Sequence, residues 1–252
     1  MKPIEIPVPI QAQPDDTSCG PTCLQALYAA FGDVVPLEEL LRDVPRMPTG
    51  GTLAVLLGCH ALERGYAATV YTFNLAVFDP TWFVLESGAL LDRLAARRAV
   101  VAEDERTRIA LDAYARFVEL GGDVRCEDMR PALLRRYLKR GLPMLAGLSA
   151  TYLYGTAREL GDPLRYDDVR GEPQGHFVVL CGYDPQDRTA LVADPLRPNP
   201  LSTSPQYRVS IDRLVCALML GVITYDANLL VLRPPGGARS HHARPVRRRP
   251  RG

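Results

Sequence analysis

Gln13 and Cys19 stand six residues apart in the run Gln13-Pro14-Asp15-Asp16-Thr17-Ser18-Cys19-Gly20-Pro21-Thr22-Cys23-Leu24. A thiol is mostly protonated near neutrality, so a nucleophilic cysteine needs its thiolate favoured. The positive end of a helix and a neighbouring imidazolium both do this. A side-chain amide just upstream suits a group that holds a developing oxyanion. The base expected to pair with Cys19 is His176, which opens the apolar run Gly175-His176-Phe177-Val178-Val179-Leu180. The bland alternatives are a buried structural cysteine and a satisfied core histidine. Asp194, in Leu191-Val192-Ala193-Asp194-Pro195, is the expected orienter of the imidazole. Asp184 competes for that role, but it lies at the far end of the strand, about seven rises of ~3.3 Å from His176.

These side chains meet only if the elements carrying them do. Leu24, Leu27, Tyr28 and Phe31 recur at helical spacing after Cys19, with Ser18 or Thr17 as cap, Pro21 in the first turn and Gly32 as stop. Cys23, one turn on, is expected to face inward with Leu27. Gly20 is read as admitting the backbone of a substrate. A short helix over 37–43 and another from Gly50-Gly51-Thr52 to Gly65 follow, then a strand from Ala67 to Phe73. Residues 79–125 read as a two-helix insertion that forms a flap over a cleft, with Trp82 and Phe83 as an apolar subsite. A helix over 131–140 leads into the strand Met144 to Leu148. The carboxyl half reads as strands 176–183, 189–193, 207–209 and 228–232, with a helix over 211–220. The strand 176–183, the turn Asp184-Pro185-Gln186-Asp187 and the strand 189–193 make a hairpin that returns Asp194 toward His176. Helices first and an antiparallel meander second is an α+β plan.

Gln-x5-Cys-Gly-Pro, His-Phe-Val-Val-Leu and Asp-Pro together resemble the papain-like double-glycine leader peptidase domain of bacteriocin-exporting ABC transporters and its stand-alone bacterial relatives. The likeness rests on roughly thirty residues in two blocks. It implies a papain-like cysteine peptidase fold, with the nucleophile helix of an amino-terminal helical half packed on a carboxyl-terminal antiparallel sheet. It also implies Gln13 as oxyanion stabiliser, Cys19 as nucleophile, His176 as base and Asp194 as orienter. The implied reaction is cleavage of a peptide or amide bond through a thioester. The same residues serve acyl transfer to an amine in relatives such as phytochelatin synthase. A catalytically silent domain that holds a leader peptide is the reading from another class. Residues 79–125 have no counterpart in the resemblance, and the transporter's membrane and ATPase segments are absent, so substrate specificity does not carry over.

The composition is that of an ordinary soluble domain, 47% hydrophobic and 23% charged over 252 residues. The formal charge is +1, and six arginines past residue 233 leave residues 1–233 with five net negative charges. The expected organisation is one peptidase domain over 1–233 and a disordered Arg/Pro/Gly-rich tail over 234–252. A nucleic-acid partner is not expected, because the basic residues cluster only in that tail. No apolar run reaches the ~18 residues of a membrane span. The opening, broken by Pro3, Glu5, Pro7 and Pro9, does not read as a secretory signal, so a cytoplasmic location is expected. Six scattered cysteines make neither a disulfide framework nor a CxxC zinc motif. No cofactor is expected, and Cys19, Cys23 and His176 lack a fourth ligand for a metal. His60 is expected on a core face, and His241 and His242 receive no role.

Overall fold

The computed structural model describes residues 2–48, 50–101, 103–161 and 165–236. The expected tail therefore lies, from residue 237 on and with His241 and His242, outside the described residues. In chain order the amino-terminal part gives β1 (Ile4–Glu5), α1 (Cys19–Ala30), α2 (Leu37–Asp43), α3 (Ala54–Glu63) and β2 (Ala67–Thr72). The segment expected as an insertion gives α4 (Ser87–Val100), α5 (Glu105–Glu119) and β3 (Asp123–Arg125). Then come α6 (Pro131–Leu138), β4 (Met144–Ser149), α7 (Ala150–Tyr154), and the small hairpin strands β5 (Glu159–Leu160) and β6 (Arg165–Tyr166). The chain closes with β7 (Gly175–Asp184), β8 (Thr189–Ala193), β9 (Gln206–Ser210), α8 (Ile211–Leu220) and β10 (Asn228–Arg233).

One mixed sheet organises all of this, in the order β3-β2-β10-β4-β7-β8-β9, with β1 pairing along the outer part of β7. Alternate residues of β7 feed opposite faces, as the two-residue period of a strand requires. Phe177 and Val179 join Leu24, Leu27, Leu57 and Phe117 under α1, α3 and α5. Val178 and Leu180 join Leu134, Leu138, Leu214 and Leu218 under α6 and α8. Both faces are covered, which is why β7 reads as an unbroken apolar run.

The α+β plan is thus the observed one, and three features of its topology and packing depart from the sequence reading. The last strand, β10, does not extend the meander but inserts between β2 and β4. β2 and β3 pair in parallel. The insertion is no flap: Phe117 of α5 is buried in a notch where a Cβ on Gly58 would come within 2.7 Å of its ring and one on Gly122 within 2.4 Å. α5 therefore packs on α3, and α4 packs on α5, both as part of the core. Trp82 and Phe83 pack in the same way, onto Phe78, whose ring meets Tyr114 of α5 edge-on at 4.7 Å. Among the described residues no helix is long and apolar enough to cross a membrane.

Candidate active site

One carboxylate organises the loop that delivers Cys19. Asp15 Oδ1 accepts the Thr17 N–H (2.8 Å), the Thr17 hydroxyl (2.8 Å) and the Ser18 hydroxyl (2.7 Å). Burial opposes the Asp15 charge, but these bonds outweigh it and hold the carboxyl below its ordinary range. Ser18 is the N-cap of α1 by position, yet its side chain makes no capping bond. The hydroxyls expected to cap the helix are engaged by Asp15 instead. Thr22 N–H reaches the Ser18 carbonyl at 3.1 Å, and Pro21 has no N–H. The N–H groups of Cys19 and Gly20 thus stand at the helix mouth with no helical carbonyl to bond. Gly20 serves packing and not substrate approach: a Cβ there would lie 2.7 Å from Thr52 Cγ2 and 3.2 Å from the Phe177 ring.

The hairpin brings the histidine and its acid together. Val179 pairs with Ala193, so Asp194, the residue after β8, lies diagonally across from His176. His176 Nε2 and Asp194 Oδ1 are 2.9 Å apart, and both residues are buried, at 6% and 0% exposure. With Nε2 on the carboxylate, Nδ1 is left for the Cys19 side. Burial lowers the imidazole's pKa, but the Asp194 charge and bond, joined by the Cys19 sulfur, override it and push the group well above its usual value. Asp194 moves the other way. Burial disfavours its charge, and His176, Tyr207 and the Leu196 N–H more than compensate, holding it far below the carboxylate range.

Asp194 has more partners than the sequence suggested. Its Oδ1 also accepts the Leu196 N–H at 2.9 Å, and its Oδ2 accepts the hydroxyls of Tyr154 at 2.8 Å and Tyr207 at 2.5 Å. Neither tyrosine was anticipated. The signal for Tyr207 was its inward place in a strand that pairs with β8, opposite Val192. Tyr154 had none, because it sits on α7, a five-residue helix absent from the sequence reading.

Gln13 is tied to the same end of the sheet by its backbone N–H, which donates to the Pro195 carbonyl at 2.9 Å. Its side-chain Nε2 donates to the Asp15 carbonyl at 2.8 Å, and its Oε1 is buried without a partner. An amide nitrogen carries two protons, so one remains. Cys23 faces inward as expected. Its thiol donates to the Phe177 carbonyl at 3.2 Å, and burial pushes it well up, which keeps it a protonated core residue. His60 is half-buried against the Tyr28 hydroxyl at 2.9 Å. Asp184 accepts the Gln186 N–H in the far turn.

No protein-family profile matches the chain. Among curated proteins, the chain is 29% identical over 162 residues to the probable monogalactosyldiacylglycerol synthase, chloroplastic, of Nicotiana tabacum, covering 59% of this chain and 27% of that protein. It is 29% identical over 161 residues to the monogalactosyldiacylglycerol synthase of Spinacia oleracea, covering 59% and 28%. The chain thus spans about a quarter of the length of the curated relatives it matches. Among solved structures, it is similar to a putative C39-like peptidase from Bacillus anthracis, with a TM-score of 0.47 and 13% identity over 93% of this chain and 98% of the other. A double-glycine motif protease from an AMS/PCAT transporter, solved with its leader peptide, aligns with a TM-score of 0.45 and 14% identity over 93% and 99%.

Proposed function

We propose that the chain is a cysteine hydrolase that cleaves a peptide or amide bond through a thioester on Cys19. The observation that carries the reading is the buried 2.9 Å bond between His176 Nε2 and Asp194 Oδ1, which leaves Nδ1 for the Cys19 side chain that interacts with the ring. The peptide nature of the substrate rests on the motif resemblance.

In this mechanism His176 Nδ1 takes the Cys19 proton, and the thiolate attacks the carbonyl carbon. The tetrahedral oxygen is held by the Cys19 N–H and the second proton of Gln13 Nε2. One such donor is worth ~10² to 10³ in rate. The C–N bond breaks as His176 returns the proton to the leaving amine, which leaves a thioester. Water then attacks, His176 takes its proton, and the carboxylic acid departs as the thiol reforms. Asp194 holds the ring and stabilises the imidazolium but keeps no proton itself.

The test is incubation of the protein with a peptide library and intact-mass analysis of Cys19 and of the products. A thioester adduct and turnover, both lost in Cys19→Ala, are expected. Equal turnover in Cys19→Ala removes the nucleophile. A product carrying an added amine in place of water replaces hydrolysis by acyl transfer.

A further inference from the structure

We infer that Tyr154 and Tyr207 are positioning residues of the reaction, two phenol donors that keep Asp194 ionised and aimed at His176. The inference rests on the Cys19, His176 and Asp194 assignment above. The two hydroxyls come from unrelated elements, α7 and β9, yet converge on the same oxygen, Asp194 Oδ2, while His176 and the Leu196 N–H share Oδ1. Asp194 is fully buried, so every lone pair that water would satisfy must be met by protein. Removing either donor leaves an ionised oxygen short of a partner.

The arrangement is built and not incidental. Tyr154 ends α7, and Arg213 of α8 fixes that end by donating to the carbonyls of Tyr152 (2.9 Å) and Leu153 (2.7 Å). The Tyr154 ring also lies 6.0 Å from the His176 ring. Both phenols are driven far above their ordinary pKa, first by burial and then by the Asp194 charge. They therefore remain protonated, and as donors to a carboxylate they favour its charged form. A neutral Asp194 would leave the imidazolium without its counter-charge, and the proton would return to the Cys19 sulfur. The phenols thus act on the thiolate through two intermediaries.

The groups facing this network are Cys19 and Cys23 from α1, Tyr154 from α7, Glu159 from β5, Tyr207 from β9 and Asp226 from the loop before β10. Glu159, Asp226 and both thiols stay in place in the variants below, so a change in the acid limb reports on Asp194.

The experiment is the pH dependence of iodoacetamide labelling of Cys19, read on its own peptide because Cys126 and Cys216 are exposed and free. The full chain, Tyr154→Phe, Tyr207→Phe and the double variant are compared. The acid limb is expected to move up by about one pH unit in the double variant, a tenfold loss of labelling at a fixed pH on the limb. Each single variant is expected to give a smaller shift of the same sign, so the test stands on the singles if the double does not fold. A structural role alone would lower the melting temperature and leave the limb in place. A limb that stays, or moves down, in the folded variants overturns the inference and leaves the proposed function intact. A wild-type Cys19 with no enhanced labelling below neutrality overturns both.

Discussion

Replacing Asp194 by Asn isolates charge from shape at the centre of the site. Asp194→Ala would strand four donors, the His176 ring N–H, the Leu196 N–H and two phenols. At about 1–3 kcal/mol for each buried unmet group, that loss approaches the whole stability of a domain, and a loss of function in an unfolded variant would say nothing about chemistry. Asn avoids this. Its carbonyl oxygen can keep the bonds from His176 and Leu196, and its NH2 can donate to the two phenol oxygens once their hydroxyls rotate away. What disappears is the negative charge beside the imidazolium.

The charge centres lie about 4 Å apart, and at an effective dielectric near 20 the lost attraction is about 4 kcal/mol. The difference between a charge-assisted and a neutral hydrogen bond gives a lower figure, about 1 kcal/mol. Burial then dominates and drives the ring to its neutral form, so on the proposed mechanism Cys19 labelling falls by about 5-fold to 1000-fold. The assay is the labelling rate of the Cys19 peptide at pH 6 beside turnover of any peptide substrate, with circular dichroism to certify the fold. A folded Asp194→Asn protein that labels within threefold of wild type refutes the reasoning, because the carboxylate would then contribute nothing to the pair.

Two further substitutions probe the ground around the site. Gly20→Ala places a methyl 2.7 Å from Thr52 Cγ2 and is expected to cost about 1–3 kcal/mol by thermal melting. Thr52→Ser removes that methyl while keeping the bond of its hydroxyl to the Pro45 carbonyl, so the double variant should recover most of the loss, and additive losses would show that the contact is not the cause. Asp226 is buried and bonded to the Thr224 hydroxyl at 2.8 Å, and burial pushes its carboxyl from 3.8 up to about 7. Below pH 3.8 both folded and unfolded forms are protonated. Between there and pH 7 only the unfolded form ionises, so stability is lost as pH rises and the full cost, at most about 4 kcal/mol, is present above 7. Asp226→Asn should therefore raise the melting temperature at pH 8 and leave it nearly unchanged at pH 3.5, and an equal shift at both pH values would refute the assignment.

The parts of this site that were legible in the sequence are those fixed by local pattern. The apolar spacing after Cys19 dictates α1, and the turn between two apolar runs dictates the β7–β8 hairpin. From these two elements the pairing of His176 with Asp194 follows, because a hairpin returns its second strand to the level at which the first began. The position of the helix cap at Ser18 was legible but its bonding was not, because Asp15, three residues before it, takes the hydroxyls and single-residue preferences do not rank such rivals. Gly20 was misread for a related reason. A glycine shows that something comes close, but only the tertiary neighbours, here Thr52 and Phe177, say what.

The phenols mark the limit more sharply. Asp194 can be ionised inside the protein only if donors from several segments arrive together, and those donors come from β7, the loop after β8, α7 and β9. No window of sequence contains them. α7 is held by Arg213 of α8, a further 59 residues along from Tyr154. The Asp194 charge, which in the proposed mechanism serves Cys19 at the amino terminus of α1, is therefore stabilised by the carboxyl half of the chain. This ties the site to completed folding of the sheet: with β9 undocked or α7 displaced, Oδ2 loses its donors, the burial penalty of the carboxylate goes unopposed, and the imidazole loses the counter-charge that sustains it. In the proposed mechanism, the reactivity of Cys19 therefore depends on the assembled sheet and not on α1 alone.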